Sequence, residues 1–375
     1  MFRKLDFHFV FFFRNFYLKS RNFHFIPCLL LSTTQFTLIS RSSLKHSIPK
    51  RMLIGISGTL SSGKAEVARY LTFQGFQLIG VETEDAGLAT PPAASGLDVY
   101  KYTTFDALLD DVTANWRTNY VILHIDDIEM LQKLQKRPFF LHVYVDAPVK
   151  LRYERHCLKR TDQDVSFESF VMQSDELLFD AQNPLIQINN QANVKVINTS
   201  TSLKSLYVKL SELDLMNPAR LRPTWDAYFM RLADLAALRS NCMKRRVGCV
   251  IVRDNRVVAT GYNGTPRHLT NCNEGGCTRC NQGQGSGASL STCLCLHAEE
   301  NALLEAGRDR IDGDSSILYC NTCPCLTCSI KIVQSGIKQV VYAQSYSMDE
   351  HAHRVMNEAR IVLRQYVPPK EGIFI

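Results

Sequence analysis

Acid is scarce at the start of this chain, net charge is scarce after it, and cysteine is scarce outside one window. Residues 1–51 hold a single acid, Asp6, against nine basic side chains: Arg3, Lys4, Arg14, Lys19, Arg21, Arg41, Lys45, Lys50 and Arg51. The overall charge of +7 over 375 residues therefore comes from this leader, and residues 52–375 carry 34 basic and 35 acidic side chains. A near-neutral body lacks the clustered Lys and Arg that a long polyanion demands, so no nucleic-acid partner is expected. Long apolar runs are missing from the leader too. Val10–Phe13 stops at Arg14 and Ile26–Leu31 is short, so neither crosses a bilayer and no membrane partner is expected. Of 13 cysteines, only Cys28 and Cys157 lie outside residues 242–328. Crowding of that kind, beside His268 and His297, suits metal ligation in a reducing compartment better than a disulfide framework. The expected location is the cytoplasm, with the nucleus as a second site.

The length favours two domains behind the leader. Residues 1–51 are basic and rich in phenylalanine, as an organelle-targeting presequence would be. The preferred reading is that Met52, directly before a well-formed strand, is the true start; a mitochondrial location follows only if the leader is a real presequence. Residues 52–216 alternate strand and helix. Met52–Ser57, Tyr120–Ile125 and Phe139–Val145 read as buried strands, with helices at 65–73 and near 103–115, 148–158, 166–180 and 202–213. That alternation implies a parallel sheet with helices on both faces. Pro91-Pro92 marks a loop, and the boundary belongs near Asn217-Pro218. Residues 217–375 repeat the logic: a helix over 225–240, a hairpin around Asp254-Asn255, a helix over 297–306, strands at 316–320, 339–343 and 361–363, and helices after 325 and 350.

Chemistry concentrates in the second half. His297-Ala298-Glu299 is followed by Pro324-Cys325-Leu326-Thr327-Cys328. One imidazole and two thiolates fill three corners of a tetrahedral zinc and leave the fourth open, which is the layout of a catalytic site. Glu299 can sit beside the metal without binding it, where a proton shuttle belongs. His297 and Cys325 each open a helix, whose dipole favours thiolate and hydroxide. Cys320 and Cys323 form a second C-x-x-C, and a Cys320/Cys323/Cys325/Cys328 site is a structural alternative. It would strand His297 and Glu299.

H-x-E followed by P-C-x-x-C is the known signature of zinc-dependent nucleobase deaminases. With Val247-Gly248-Cys249-Val250-Ile251-Val252 and Gly261-Tyr262-Asn263-Gly264-Thr265-Pro266, residues 217–375 resemble the deoxycytidylate (dCMP) deaminase family. The whole of 52–375 resembles its fungal, two-domain members. The resemblance implies a C-terminal cytidine-deaminase-like three-layer α/β/α domain. It also implies hydrolysis of dCMP to dUMP and ammonia, with Zn²⁺ on His297, Cys325 and Cys328 and Glu299 moving the protons. Asn263 would bind the sugar, Arg267 offers a fork to the 5′-phosphate, and Tyr346 aligns with a phosphate-contacting tyrosine. The same resemblance implies a homo-oligomer, often a hexamer, activated by dCTP and inhibited by dTTP. Lys244, Arg245 and Arg246 are candidate triphosphate contacts, against an ordinary solvated basic turn. Some family members hold a further structural zinc, and here Cys242, Cys272, Cys277, Cys280, Cys293 and Cys295 are open as its ligands.

The N-terminal half carries Gly58-x4-Gly63-Lys64 between a strand and a helix, the context of a phosphate-cradling P-loop. Ala65 stands where Ser or Thr would hold magnesium. Val145-Asp146-Ala147-Pro148 with Arg152 and Arg155 also resembles a small-molecule kinase. A degenerate P-loop kinase-like domain is expected, with nucleotide binding or a structural role ahead of phosphoryl transfer. The rival functions are a nucleic-acid deaminase of the tRNA-editing type, a nucleotide kinase with a structural zinc appendage, and a non-catalytic nucleotide sensor.

Overall fold

Side-chain caps set most helix starts. Thr104, Asp127, Ser166, Ser202 and Thr224 each accept a hydrogen bond from a first-turn N–H of the helix that follows. The computed structural model describes residues 51–82, 98–159, 165–182, 184–285, 288–345, 350–370 and 372–374. Residues 1–50 of the leader and the Pro91-Pro92 loop lie outside them.

In the first half the strands are β1 (Leu53–Gly58), β2 (Gln77–Val81), β3 (Val99–Tyr102), β4 (Tyr120–Leu123), β5 (Phe140–Asp146) and β6 (Val194–Ile197). The helices are α1 (Lys64–Phe73), α2 (Phe105–Ala114), α3 (Ile128–Gln135), α4 (Val149–Lys159), α5 (Phe167–Phe179), α6 (Leu185–Asn190) and α7 (Leu203–Leu213). In the second half come α8 (Trp225–Ala237), β7 (Gly248–Arg253), β8 (Arg256–Tyr262), α9 (Thr278–Asn281), α10 (Ala298–Ala306), β9 (Ser316–Thr322), α11 (Leu326–Ser335), β10 (Gln339–Gln344), α12 (Glu350–Glu358), β11 (Val362–Gln365) and β12 (Gly372–Phe374).

The first sheet has seven strands in the order β12-β6-β5-β1-β4-β2-β3, every pairing parallel. Strand β1 is buried throughout because both of its faces are covered. Ile54, Ile56, Val121 and Val143 pack with Val67, Leu71, Leu206 and Leu210 on one side. Leu53, Ile79, Ile122 and Phe140 meet Leu108, Val112, Leu131 and Leu134 on the other. The seventh strand, β12, is the end of the chain: it pairs with β6, Ile373 opposite Val196.

The loop between β1 and α1 turns on Gly63, whose φ of 105° is left-handed and favours glycine. Its own groups fill it. Lys64 Nζ donates to Gly58 O at 2.7 Å and Thr59 O at 2.9 Å, while Thr59 Oγ1 donates to Asp146 Oδ1. Burial pulls the Lys64 amine down to about 8. Arg152, buried, donates to Ala147 O and Ser174 Oγ, and Arg155 donates to Ser62 O and Ser200 O.

The second sheet runs β11-β10-β9-β7-β8, with β7 antiparallel to both neighbours and β9, β10 and β11 parallel. Asp254 (φ 50°) and Asn255 (φ 59°) make the tight β7–β8 turn. Phe229, Met230 and Ala233 of α8 pack against Val250, Val252, Tyr319 and Val341 on one face. Ala298, Ala302, Ile332 and Met356 of α10, α11 and α12 cover Cys249, Ile251, Leu318 and Val340 on the other. This half is a three-layer α/β/α unit. Among the described residues no helix is long and apolar enough to cross a membrane.

Candidate active site

Two helix N-termini meet beside the second sheet. His297 is the N-cap of α10 and Cys325 the N-cap of α11. Cys328 lies in the first turn of α11, fully buried. His297 Nδ1 is 3.3 Å from Cys328 Sγ and 3.4 Å from Cys325 Sγ. Tetrahedral zinc, with bonds of about 2.0–2.1 Å to nitrogen and 2.3 Å to sulfur, separates such atoms by about 3.6 Å. All three donor atoms lie within 4.8 Å of one another. The donor set therefore fits zinc without rearrangement, and it supplies three ligands.

Proton sharing marks the same trio. The Cys325 thiol is pulled down to about 3, first by its hydrogen bond with Cys328 and then by those with His297 and Thr327. Cys328 is pushed up by holding the proton of that pair and by burial. The partnership with Cys325 raises His297. A bound metal takes the place of these protons.

Glu299 is 4% exposed, and burial raises its carboxyl above the usual range. Its surroundings are His297, Cys325 and Cys328, with Cys328 in hydrogen-bonding contact. Cys320 is not part of the trio. It lies in β9 opposite Cys249 of β7, both fully buried, and their mutual hydrogen bond and burial keep the Cys320 thiol protonated. Burial pushes the Cys323 thiol up to about 11. Among the described residues the four-cysteine alternative is not assembled.

Glu300 aligns the two helices, a role that the sequence reading missed. One carboxylate oxygen accepts from the His297 N–H at 2.9 Å, capping α10. The other pairs with Lys331 of α11. The available signal was an acid three residues past the cap.

The two glycines of the flanking motifs explain how close the layers come. A Cβ on Gly261 would lie 2.1 Å from Ala298 O and 2.5 Å from Ala302 N, so β8 packs directly on the α10 backbone. A Cβ on Gly248 would lie 1.9 Å from Ala233 O of α8.

The expected substrate contacts fare unequally. Asn263 is buried, its Oδ1 accepting from Val247 N (2.8 Å) and Ser240 Oγ (2.7 Å) and its Nδ2 donating to Arg245 O (2.7 Å). One amide N–H is left to donate. Arg267 is exposed and pairs with Glu305 at 3.7 Å. Tyr346 lies outside the described residues. Lys244 donates to Gln284 O and Gly285 O, and Arg245 to Gln344 Oε1 at 3.3 Å.

The cytidine and deoxycytidylate deaminase zinc-binding region matches residues 223–344. A deoxycytidylate deaminase of Schizosaccharomyces pombe is 50% identical over 329 residues, 86% of this chain and 99% of that protein. The deoxycytidylate deaminase of Saccharomyces cerevisiae is 45% identical over 326 residues, 84% of this chain and 96% of that one. A human deoxycytidylate deaminase is 30% identical over 156 residues, 40% of this chain and 84% of its own.

Proposed function

The chain belongs to the cytidine and deoxycytidylate deaminase family, and from that premise we infer how its own residues turn dCMP and water into dUMP and ammonia. It is a zinc-dependent dCMP deaminase, a hydrolase of pyrimidine metabolism. The observation that carries the residue assignment is one buried carboxyl, Glu299, set beside three converging metal donors without being one of them.

His297, Cys325 and Cys328 would hold the metal, and a zinc there would supply Lewis-acid activation, lowering the pKa of the attacking water toward ~7. Glu299 accepts a proton from the attacking water as the oxygen bonds to C4 of the cytosine ring, and passes it to N3. The second water proton takes the same route to the exocyclic amine, which leaves as ammonia while C4 keeps the oxygen. Burial suits Glu299 to this relay, because raising its carboxyl above the usual range favours its holding the proton between the two transfers. Asn263 contributes its remaining amide N–H to the sugar. Arg267, which is exposed, would receive the 5′-phosphate by exchanging Glu305 for it, and Tyr346 is assigned to the same phosphate by family resemblance alone.

The first half, in this reading, keeps a P-loop kinase-like fold without phosphoryl transfer. Ala65 offers no magnesium ligand, and Lys64 spends its donors on the loop's own carbonyls. By family resemblance the working form is a homo-oligomer, often a hexamer, in the cytoplasm, with dCTP as activator and dTTP as inhibitor. Ammonia release from dCMP, cytidine, dCTP and a stem-loop RNA, each with and without added dCTP and dTTP, tests the whole reading. Turnover of dCMP alone, raised by dCTP and lowered by dTTP, is expected. Turnover of the RNA without dCMP would overturn it.

A further inference from the structure

Six thiols stand apart from the active site. Cys242 follows α8, Cys272, Cys277 and Cys280 lie on the loop around α9, and Cys293 and Cys295 lead into α10. All are free of disulfides, and they cluster together. They divide into two sets of four, Cys242/Cys272/Cys280/Cys295 and Cys277/Cys280/Cys293/Cys295, and within each set every Sγ lies within 4.8 Å of every other. Cys280 and Cys295 belong to both.

The spacings are those of metal thiolates. Cys242–Cys280, Cys277–Cys293 and Cys280–Cys295 are 3.9 Å apart and Cys280–Cys293 is 3.8 Å. A tetrahedron with metal–sulfur bonds of about 2.3 Å has edges of about 3.8 Å, whereas a disulfide brings sulfurs to about 2.05 Å. One ion would use four thiols and leave two buried or half-buried against it with nothing to bind. Two ions use all six. We propose that this loop holds two tetrahedral, thiophilic divalent cations of the zinc class in a six-thiolate cluster. Cys280 and Cys295 bridge, Cys242 and Cys272 complete one ion, and Cys277 and Cys293 complete the other.

Six thiolates around two dications carry a net charge of −2, which a buried cluster must have answered by donors. The Met243 N–H points at Cys272 Sγ at 3.4 Å, and buried Arg279 directs a guanidinium N–H at Cys293 Sγ at 3.7 Å. The cluster also has something to hold. Cys295 precedes His297 by two residues, with Leu296 bridged to Gly264 between them. Cys242 is two residues past Ser240, whose hydroxyl donates to Asn263. The two ions would thus clamp the start of helix α10 to the segment after α8 whose Ser240 holds Asn263.

Elemental analysis and native mass spectrometry of the full-length holoenzyme decide the count, independently of which base or nucleotide it deaminates. Three zinc ions per chain are expected, two of them retained in His297→Ala. The Cys277→Ser, Cys293→Ser double variant should retain two, one in each site. Two ions in the wild-type chain would overturn the proposal. Should the variants fail to fold, cadmium-113 substitution of the wild type still tests it: two four-sulfur resonances split by mutual coupling are expected across bridging thiolates. A single or uncoupled four-sulfur signal refutes the bridge.

Discussion

Glu299 sits two residues past His297 on the same helical turn, so the proposed proton carrier is held by the element that carries a proposed metal ligand. Its role needs an acid, whereas the metal needs only the other three side chains. Glu299→Gln keeps the shape and removes the exchangeable proton. It should lower kcat by roughly 10²–10⁴-fold, the usual worth of a positioned acid–base group. The zinc content should stay at the wild-type value, and elemental analysis beside an ammonia assay checks both; loss of zinc with activity would instead mark Glu299 as a ligand. That these side chains converge was legible in sequence because the pattern is local, with two short motifs that each start a helix. Glu300 and Ser240 were not, since their partners, Lys331 and Asn263, lie 31 and 23 residues away. Asn263 itself was read as a sugar contact, but most of its hydrogen-bonding capacity is spent tying Ser240, Arg245 and Val247 together.

Between elements, the distance from β8 to α10 fixes where His297, the N-cap of α10, stands. Gly261 lets the two backbones touch, and Gly261→Ala would push Ala298 and Ala302 outward, carrying His297 with them. Overpacking of this kind costs roughly 1–3 kcal/mol. The variant should therefore show a lowered Tm and weakened zinc retention against a chelator. An unchanged chelation rate would mean that α10 does not transmit the shift. Most elements with a strong pattern or a cap were readable: the Asp254-Asn255 hairpin, and helices α2, α5, α7 and α8 behind Thr104, Ser166, Ser202 and Thr224. Strands β2, β3 and β6 escaped because four or five residues carry too little periodicity. Helix α3 escaped despite its Asp127 cap, since it spans only eight residues between two strong strands.

Across the whole described chain, the two sheets are joined by more than the segment after α7. The chain leaves the second sheet after β11 and returns to the edge of the first, where β12 pairs with β6. Arg220 fastens the return by donating to Lys370 O at 2.8 Å, while its other nitrogens hold Leu213 O and Asp214 O. Three residues cannot announce themselves as a strand. Their partner lies some 177 positions earlier, Ile373 against Val196, so only the folded chain reveals the pairing. The consequence is thermodynamic coupling: the first sheet is complete only when the second half has delivered its tail, so the halves should melt together. Removing residues 368–375 exposes the β6 edge and frees Arg220. Losing about 2 kcal/mol in a unit of 150–250 residues lowers Tm by roughly 4–8 °C. Calorimetry should then resolve two transitions where the intact chain gives one, the lower belonging to residues 52–216, while zinc content is unchanged. A single transition at the intact temperature would show that the tail pairing contributes nothing to cohesion. The first half would then be held by its own two cores, those around Ile54 and Leu53.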